Sequence, residues 1–153
     1  MTTKAGQGNV SDILSEISSS CVLLRTRLIS RVITAIHDEA LATLGIGSAQ
    51  FVLLAVIGSI APASRADIGR FHRQDRSTLS RNLKVIVDAG WVEEDLSRIK
   101  GRTRPLVLTE AGKALLSKGA PAWRTAQAES KRLLGESGTV VVTDIANRIL
   151  GGA

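Results

Sequence analysis

The chain has 153 residues, 44% of them hydrophobic, which is enough for one folded domain with its own core. A formal net charge of +6 favours a polyanionic partner, with nucleic acid first, and the single cysteine excludes both an internal disulfide and a zinc site built from cysteines. The longest apolar runs, such as FVLLAVIG from Phe51, are too short to span a membrane, and no secretory signal pattern is visible, so we expect a soluble, cytoplasmic protein. Two Phe, two Trp and no Tyr leave few rings for stacking on unpaired bases, so duplexes are favoured over single strands.

The first predicted helix is long and amphipathic. Residues 1–9 are small and polar, and we expect them to form a flexible N-terminus. Apolar residues then recur at steps of three and four, which predicts one helix from Ser11 to near Gly45; they are Ile13, Leu14, Ile17, Cys21, Leu24, Leu28, Val32 and Ile36. Because this helix is longer than a small core needs, we expect a second chain to cover part of region 10–45.

Two shorter helices follow. Ser48 is expected to cap a helix over residues 49–60, whose nearly uniform apolar character places it in the interior. Pro62 ends it, and Ser64 with Asp67 resembles a capping box at the start of a short third helix.

A further helix begins at Asp75 or Ser77 and stops at Gly90. Its predicted inner face consists of Leu79, Leu83, Ile86 and Val87. With HRQD as the connecting turn, the order is helix, tight turn, helix.

The rest of the chain is predicted as a β-hairpin and then helices. WVEEDL and RPLVLT are short extended runs, with Gly101 at the hairpin tip. The chain becomes helical again from Glu110 and is expected to bend or divide at Pro121, because proline disturbs a helix interior. TVVVTDIANRIL forms the final helix.

Most of the positive charge lies on two segments. Between Arg65 and Lys84 there are six basic residues and two acids, a local balance of +4, and no acid occurs among residues 96–104 at the hairpin tip. In a helix-turn-helix the second helix enters the major groove, so donors and small hydroxyls are needed at its start. Four residues there meet this requirement: Arg76, Ser77, Thr78 and Arg81.

The segments DRSTLSRNLKVIVDAGWVEED and GRTRPLVLTEAGKALL closely resemble the MarR family of winged helix-turn-helix transcriptional regulators, and the order of elements matches over residues 11–150. The resemblance implies a mainly α fold with a small β-hairpin wing. Residues 46–112 would form the winged helix-turn-helix DNA-binding region, and helices in 10–45 and 113–153 would form the dimerisation region. It further implies a homodimer on a palindromic operator in double-stranded DNA, commonly a repressor released by a small ligand.

The resemblance also assigns site residues. Arg76, Ser77, Thr78 and Arg81 look like recognition-helix contacts, and Arg102 looks like the wing arginine. The family wing usually reads D-x-R, whereas this chain has Lys100 before Gly101 and Arg102, so Arg102 would be more mobile or held by Asp95 or Asp75. The full set of expected DNA contacts is Arg65, Arg73, Arg76, Ser77, Thr78, Arg81, Lys84, Arg98, Lys100, Arg102 and Arg104.

A ligand site is expected near the first helix. Arg27 and Arg31 lie one turn apart and could meet the carboxylate of a small aromatic or related anion, or pair with acids across a dimer. Cys21 has two interpretations: a buried core residue, which the apolar stripe favours, or a peroxide sensor, as in one branch of the family.

The sequence contains no recognisable catalytic set, cofactor motif or metal cluster, so we expect neither an enzyme nor a cofactor-dependent protein. Two other functions stay open: an architectural protein that binds DNA with low sequence specificity, and an adaptor whose basic surface meets an acidic protein.

Overall fold

The computed structural model describes residues 9–72, 75–99 and 103–151. Two compact units comprise residues 1–35 and 36–153. The fold is mainly α-helical with one antiparallel hairpin, which confirms the predicted class. Its elements are α1 (Val10–Ser20), α2 (Val22–Leu41), a 3-10 turn (Ala42–Leu44), α3 (Ser48–Ile60), α4 (Arg65–His72), α5 (Arg76–Asp88), β1 (Val92–Glu94), a second 3-10 turn (Leu96–Arg98), β2 (Leu106–Leu108) and α6 (Glu110–Gly151).

The N-terminal helix is divided at Cys21, so the prediction of one continuous helix is wrong. Cys21 has extended backbone (φ −64°, ψ 111°) between α1 and α2. The Arg25 guanidinium donates to the carbonyls of Ser18 (2.9 Å) and Ser19 (2.6 Å), which the break leaves without helical partners. The periodicity of apolar residues did not reveal these contacts, because they link polar residues that lie off the apolar stripe.

Helix α3 forms the centre of the second unit. Its buried residues are Ser48, Phe51, Leu53, Leu54, Val56 and Ile57. The prediction that Ser48 caps the helix is wrong, since Gly47 occupies the cap position and Ser48 is the first helical residue. The Ser48 N–H instead donates to the Asp38 carboxylate (2.7 Å), so the cap comes from the preceding helix.

Acidic residues cap both helices of the helix-turn-helix. Ser64 and Asp67 form the predicted reciprocal cap: the Asp67 N–H donates to Ser64 Oγ (3.1 Å) and the Ser64 N–H to the Asp67 carboxylate (3.1 Å). Of the two possible starts of α5, the structure selects Asp75, which accepts the Thr78 N–H at 2.9 Å.

The inner face of α5 is narrower than predicted. Leu79, Leu83 and Ile86 are buried, whereas Val87 is exposed, so its assignment to the inner face is wrong. The predicted stop at Gly90 is confirmed by its left-handed backbone (φ 73°).

The hairpin pairs Val92 with Leu108 and Glu94 with Leu106. Ala63, in the loop before α4, joins its edge: backbone hydrogen bonds of 3.1 and 2.8 Å link Ala63 and Leu106. The wing is therefore attached to the start of α4. The predicted tip at Gly101 lies outside the described residues.

Helix α6 continues through Pro121, contrary to the prediction of a bend there. The φ/ψ break occurs at Gly135 (φ 68°, ψ 172°), a conformation accessible to glycine. Near Pro121 the helix packs closely on α3, because a Cβ at Gly119 would lie 2.4 Å from the Phe51 ring. This packing offsets the hydrogen bond that the proline removes.

Hydrogen bonds of Thr109 connect the two ends of the wing to the first turn of α6. Thr109 Oγ1 donates to the Gly90 carbonyl (2.7 Å) and accepts the Gly112 N–H (3.1 Å), while the Thr109 N–H donates to the Trp91 carbonyl (3.1 Å). A Cβ at Gly112 would lie 2.1 Å from that Trp91 oxygen. The AGW and LTEAG segments are therefore parts of one packed junction.

Within the described ranges, no single helix is both long and apolar enough to cross a membrane; only Val10–Leu44 and Ser48–Ile60 taken together, as a bent pair, meet the length and composition criteria.

The close junction predicts that Gly112→Ala is destabilising, because the new methyl group must displace backbone rather than a flexible side chain. We expect the free energy of unfolding to fall by about 1 to 3 kcal/mol. Gly138→Ala in the same helix is the matched control, since its Cβ would meet Leu134 at an ordinary 3.5 Å. The control should be stabilised by up to about 1 kcal/mol. Denaturant unfolding at matched protein concentration measures the free energy of unfolding of both variants. Equal stability of the two variants would contradict the close packing of Gly112 against Trp91.

The cap of α5 predicts an acid-sensitive contribution to stability. Hydrogen bonds from Ser77 and Thr78 hold the pKa of the Asp75 carboxyl well below its ordinary value of 3.8. A lowered folded-state pKa contributes stability above the unfolded-state pKa, and this contribution is lost as the pH falls through the folded-state value. Asp75→Asn keeps a capping oxygen but does not titrate.

We therefore expect the stability advantage of the wild type over Asp75→Asn to shrink as the pH is lowered from about 6 to about 3. Denaturant unfolding at both pH values measures this difference. An advantage that is constant or grows in acid would show that the ionised cap is not stabilising.

Candidate nucleic-acid interface

Helices α4 and α5 hold the basic side chains of this surface on a shared apolar base. Ile68 of α4 and Leu79, Leu83 and Ile86 of α5 belong to the buried core. Gly69 of α4 faces Leu79 of α5, since a Cβ there would lie in ordinary contact with the Leu79 side chain, at 3.5 Å. The apolar stripe of α5 thus faces inward, and its polar face is exposed.

Two adjoining clefts, which we call the basic groove, bring together arginines that are distant in sequence. The first, about 290 Å³, lies between α4 and α5, and the second, about 270 Å³, lies between α4 and the wing. Arg65 lines both, Arg76 lines the first and Arg104 the second. Three of the predicted DNA contacts therefore share one surface.

The first turn of α5 carries a hydrogen-bonded polar cluster. Ser77 Oγ donates to the Asp75 carboxylate at 2.6 Å. Arg81 lies back along the helix, where Nε donates to the Ser77 carbonyl and a terminal nitrogen to Thr78 Oγ1, both at 3.4 Å. These two long bonds are weak, so the exposed Arg81 guanidinium can exchange them for contacts with a ligand.

The predicted contacts differ in their ionic partners. Lys84 pairs with Asp88 (2.6 Å), Arg98 with Asp95 (3.7 Å) and Arg104 with Glu94 (2.9 Å). Among the described residues no carboxylate forms an ion pair with Arg65, Arg76 or Arg81. Exposed ion pairs contribute about 0 to 1 kcal/mol to stability, so a phosphate can displace the acid from Lys84, Arg98 or Arg104. At the three arginines without an acidic partner, a phosphate displaces no carboxylate.

Three predicted contacts, Arg73, Lys100 and Arg102, lie outside the described residues. The two carboxylates considered as supports for Arg102 are already engaged by other groups. Asp95 accepts the Ser97 N–H (3.0 Å) and Oγ (2.5 Å) besides facing Arg98, and Asp75 caps α5.

Sequence reasoning missed two groove residues. Ser80 lines the first cleft one turn after Arg76, and Thr103 lines the second. The four-residue spacing on an exposed helix face could have identified Ser80. Thr103 carries no such signal, since only the fold of the hairpin brings it beside Arg65.

Arg27 and Arg31 share a polar cleft of about 360 Å³ on α2 with Thr26 and Ser30. Cys21 does not line this cleft, and in the single chain it is half-buried between α1 and α2. Its sulfur accepts the Leu24 N–H at 3.5 Å and so caps the first turn of α2.

A separate, apolar cavity of about 500 Å³ lies in the second unit. Its lining residues are Phe51, Val52, Ala55, Val56, Ser59, Phe71, Leu116, Ala120 and Trp123. Ser59 provides the one side-chain hydroxyl among them. Within the described residues, no group of three or more His, Cys, Asp or Glu residues could hold a metal ion.

Solved structures of transcriptional regulators match this fold over most of the chain. The M. tuberculosis transcriptional regulator MosR in complex with DNA is 32% identical, with 87% of this chain and 96% of that chain covered and a TM-score of 0.72. A MarR mutant from E. coli complexed with operator DNA is 19% identical, with 94% and 99% covered and a TM-score of 0.75. A MarR-family regulator from a Rhodococcus species is 15% identical, with 97% and 100% covered and a TM-score of 0.68.

No protein-family model matches the chain, and no curated protein matches it. The E. coli and Rhodococcus structures, at these low identities, establish the fold, while the MosR structure adds a relative above 30% identity along nearly its whole length. The chain therefore belongs to the MarR family of winged helix-turn-helix transcriptional regulators, and it is a DNA-binding regulator rather than an enzyme.

Proposed function

We propose that the protein is a cytoplasmic, homodimeric repressor that reads a palindromic operator in double-stranded DNA and is released by a small ligand. The observation that carries the proposal is the exposed, carboxylate-free set of Arg65, Arg76 and Arg81 around the start of α5. Such a set at a helix start suits base edges and phosphates together.

The proposed division of labour follows from the position of each arginine. Arg81, with Ser77 and Thr78, projects from the first turns of α5 and would meet base edges in the major groove. Arg65 lies in the basic groove beside α5 and would neutralise backbone phosphate. For the wing we propose contacts from Arg98, Arg104 and the residues between them, Lys100 and Arg102.

A second copy of the chain would cover two exposed apolar surfaces. Ten large apolar side chains are exposed on α1 and α2: Val10, Ile13, Leu14, Ile17, Val22, Leu23, Leu24, Leu28, Ile29 and Val32. Seven more are exposed towards the end of α6: Leu133, Val140, Val141, Val142, Ile145, Ile149 and Leu150. Surfaces of this extent are typical of interfaces, and the family resemblance assigns them to the dimer.

For the effector, we propose the apolar cavity as the site for its hydrophobic body. A volume of about 500 Å³ is within the usual range for small-molecule sites, and its lining offers one hydroxyl for orientation. Arg27 and Arg31 line a polar cleft on α2 that suits an anion, and we retain them as a candidate second site.

Selection from random duplex DNA tests the function directly. We expect an inverted-repeat consensus whose half-sites are about 34 Å apart, because a two-fold dimer presents two α5 helices to successive major grooves. The selection is repeated with aromatic acids and with neutral aromatic compounds to test release. Enrichment without a consensus would indicate architectural binding, and no enrichment would indicate a protein partner; either result contradicts the proposal.

Single arginine variants should separate base contacts from phosphate contacts. On the selected duplex, Arg81→Ala should weaken binding by about 1 to 3 kcal/mol and relax the sequence preference at one position. Arg65→Ala should weaken binding to all sequences and reduce the salt slope by about one. Arg132→Ala is the control, since Arg132 pairs with Glu129 on α6.

Fluorescence anisotropy over a series of salt concentrations measures each effect. If Arg81→Ala and Arg65→Ala bind like the control, then the basic groove and the first turn of α5 are not the interface.

A further inference from the structure

One hydrogen bond joins the side chains of α3 and α5. Gln50 Nε2, in the first turn of α3, donates to Asn82 Oδ1 in the middle of α5 at 3.0 Å. The bond is partly buried and links residues 32 positions apart. Among the described residues it is the one side-chain hydrogen bond between these helices. The two helices also share the apolar core, to which Leu54 of α3 and Leu83 of α5 both belong.

Asn82 follows Arg81 directly, which makes its orientation informative. On a recognition helix an asparagine can read adenine through a bidentate hydrogen bond. Here the carbonyl oxygen of Asn82 accepts from α3, and the residue is half-buried. Its amide is therefore engaged with the scaffold and not displayed with Ser77 and Arg81.

Gln50 lies close to the start of α3. A Cβ at position 47 would lie 2.5 Å from Gln50 Oε1 and 3.7 Å from an Asp38 carboxylate oxygen, so the Gln50 amide lies against the backbone of Gly47. The same Asp38 oxygen accepts the Ser48 N–H, which fixes the first turn of α3. The Gln50 amide therefore lies between the backbone of Gly47 and the Asn82 side chain.

The directional bond has a function that apolar packing does not supply. Hydrophobic contact is non-directional, so it tolerates small rotations of α5 about its axis. A hydrogen bond weakens steeply as its angle departs from linear, so it opposes such a rotation. A rotation of α5 would move the Arg81 side chain relative to the base edges.

We propose that Gln50 and Asn82 are positioning residues that set the rotation of α5 and thereby the sequence specificity of DNA binding. This inference rests on the proposed function. The bond contributes to the ratio of operator affinity to affinity for unrelated DNA. The proposed phosphate contacts of the basic groove, such as that of Arg65, do not depend on the Gln50 to Asn82 bond.

The test uses Gln50→Met, which keeps side-chain length but removes the donor, and Asn82→Ala, which removes the acceptor from the other helix. Asn82→Asp keeps an acceptor for Gln50. Gln127→Met is the matched control, because Gln127 is a half-buried glutamine on α6. Each full-length variant is titrated with the selected duplex and with an unrelated duplex, and its melting temperature is recorded.

We expect Gln50→Met and Asn82→Ala each to lower the operator affinity by about two- to tenfold, with affinity for unrelated DNA unchanged. The double variant should be no worse than the poorer single variant, since both remove one bond. Asn82→Asp should keep the wild-type ratio even if its added charge weakens binding to both duplexes. Gln127→Met should behave as wild type.

Several results would overturn the inference while leaving the proposed function intact. An unchanged ratio in Gln50→Met and Asn82→Ala would do so, as would additive losses in the double variant. Equal falls in affinity for both duplexes, with a lower melting temperature, would show a role in stability alone. In contrast, wild-type protein that selects no duplex would contradict the proposed function itself.

Discussion

The burial of α3 is the constraint on which the rest of the second unit depends. Leu53, Leu54 and Ile57 are almost completely removed from solvent, and α4, α5, α6 and β2 all contact this helix. Two glycines show how close the packing is, since a Cβ at Gly58 would lie 2.7 Å from Leu108 and one at Gly119 would meet the Phe51 ring. Helix α5 and wing strand β2 therefore both pack on α3, and their position relative to each other follows from that packing.

In the proposed function, one set of groups on this surface supplies affinity for DNA, and a different set fixes the orientation of α5. The ion pairs Lys84 with Asp88 and Arg104 with Glu94 are exposed, and they hold long side chains near the surface at little energetic gain. Among the described residues no carboxylate pairs with Arg65 or Arg76, so a polyanion need not displace an acid from them. The directional contacts occur at the exposed Asp75 cap and at the partly buried Gln50 to Asn82 bond, where neutral or local partners hold α5. In the proposed function, a surface built in this way would attract DNA broadly and discriminate through geometry.

Local signals in the sequence predicted much of the fold. The Asp75 cap, the Ser64 and Asp67 box, the stop at Gly90 and the two strands each depend on residues within a few positions of one another, so a linear reading detects them. Predictions failed where the deciding partner lies outside the local capping and periodicity patterns. Arg25 accounts for the break at Cys21, Asp38 replaces Ser48 as the cap, and Phe51 against Gly119 favours a continuous helix at Pro121. At the candidate site, residue types indicated the arginines, but the convergence of Arg65 with Arg104 arises from the Ala63 to Leu106 pairing, which periodicity does not encode.

The AGW and LTEAG segments lie on either side of the wing in the sequence but form one junction in the structure. Gly90, in its left-handed conformation, turns the chain out of α5, and its carbonyl accepts from Thr109. Thr109 then caps α6, and Gly112 leaves room for the Trp91 carbonyl. Each of these residues is required by another member of the junction, so they must occur together whatever lies between them. The described wing residues outside the junction have contacts of a different kind: the Asp95 N–H donates to the Pro105 carbonyl (2.8 Å), and Arg104 pairs with Glu94 at the surface. Lys100, which stands where the family wing usually has an aspartate, is not a member of this junction.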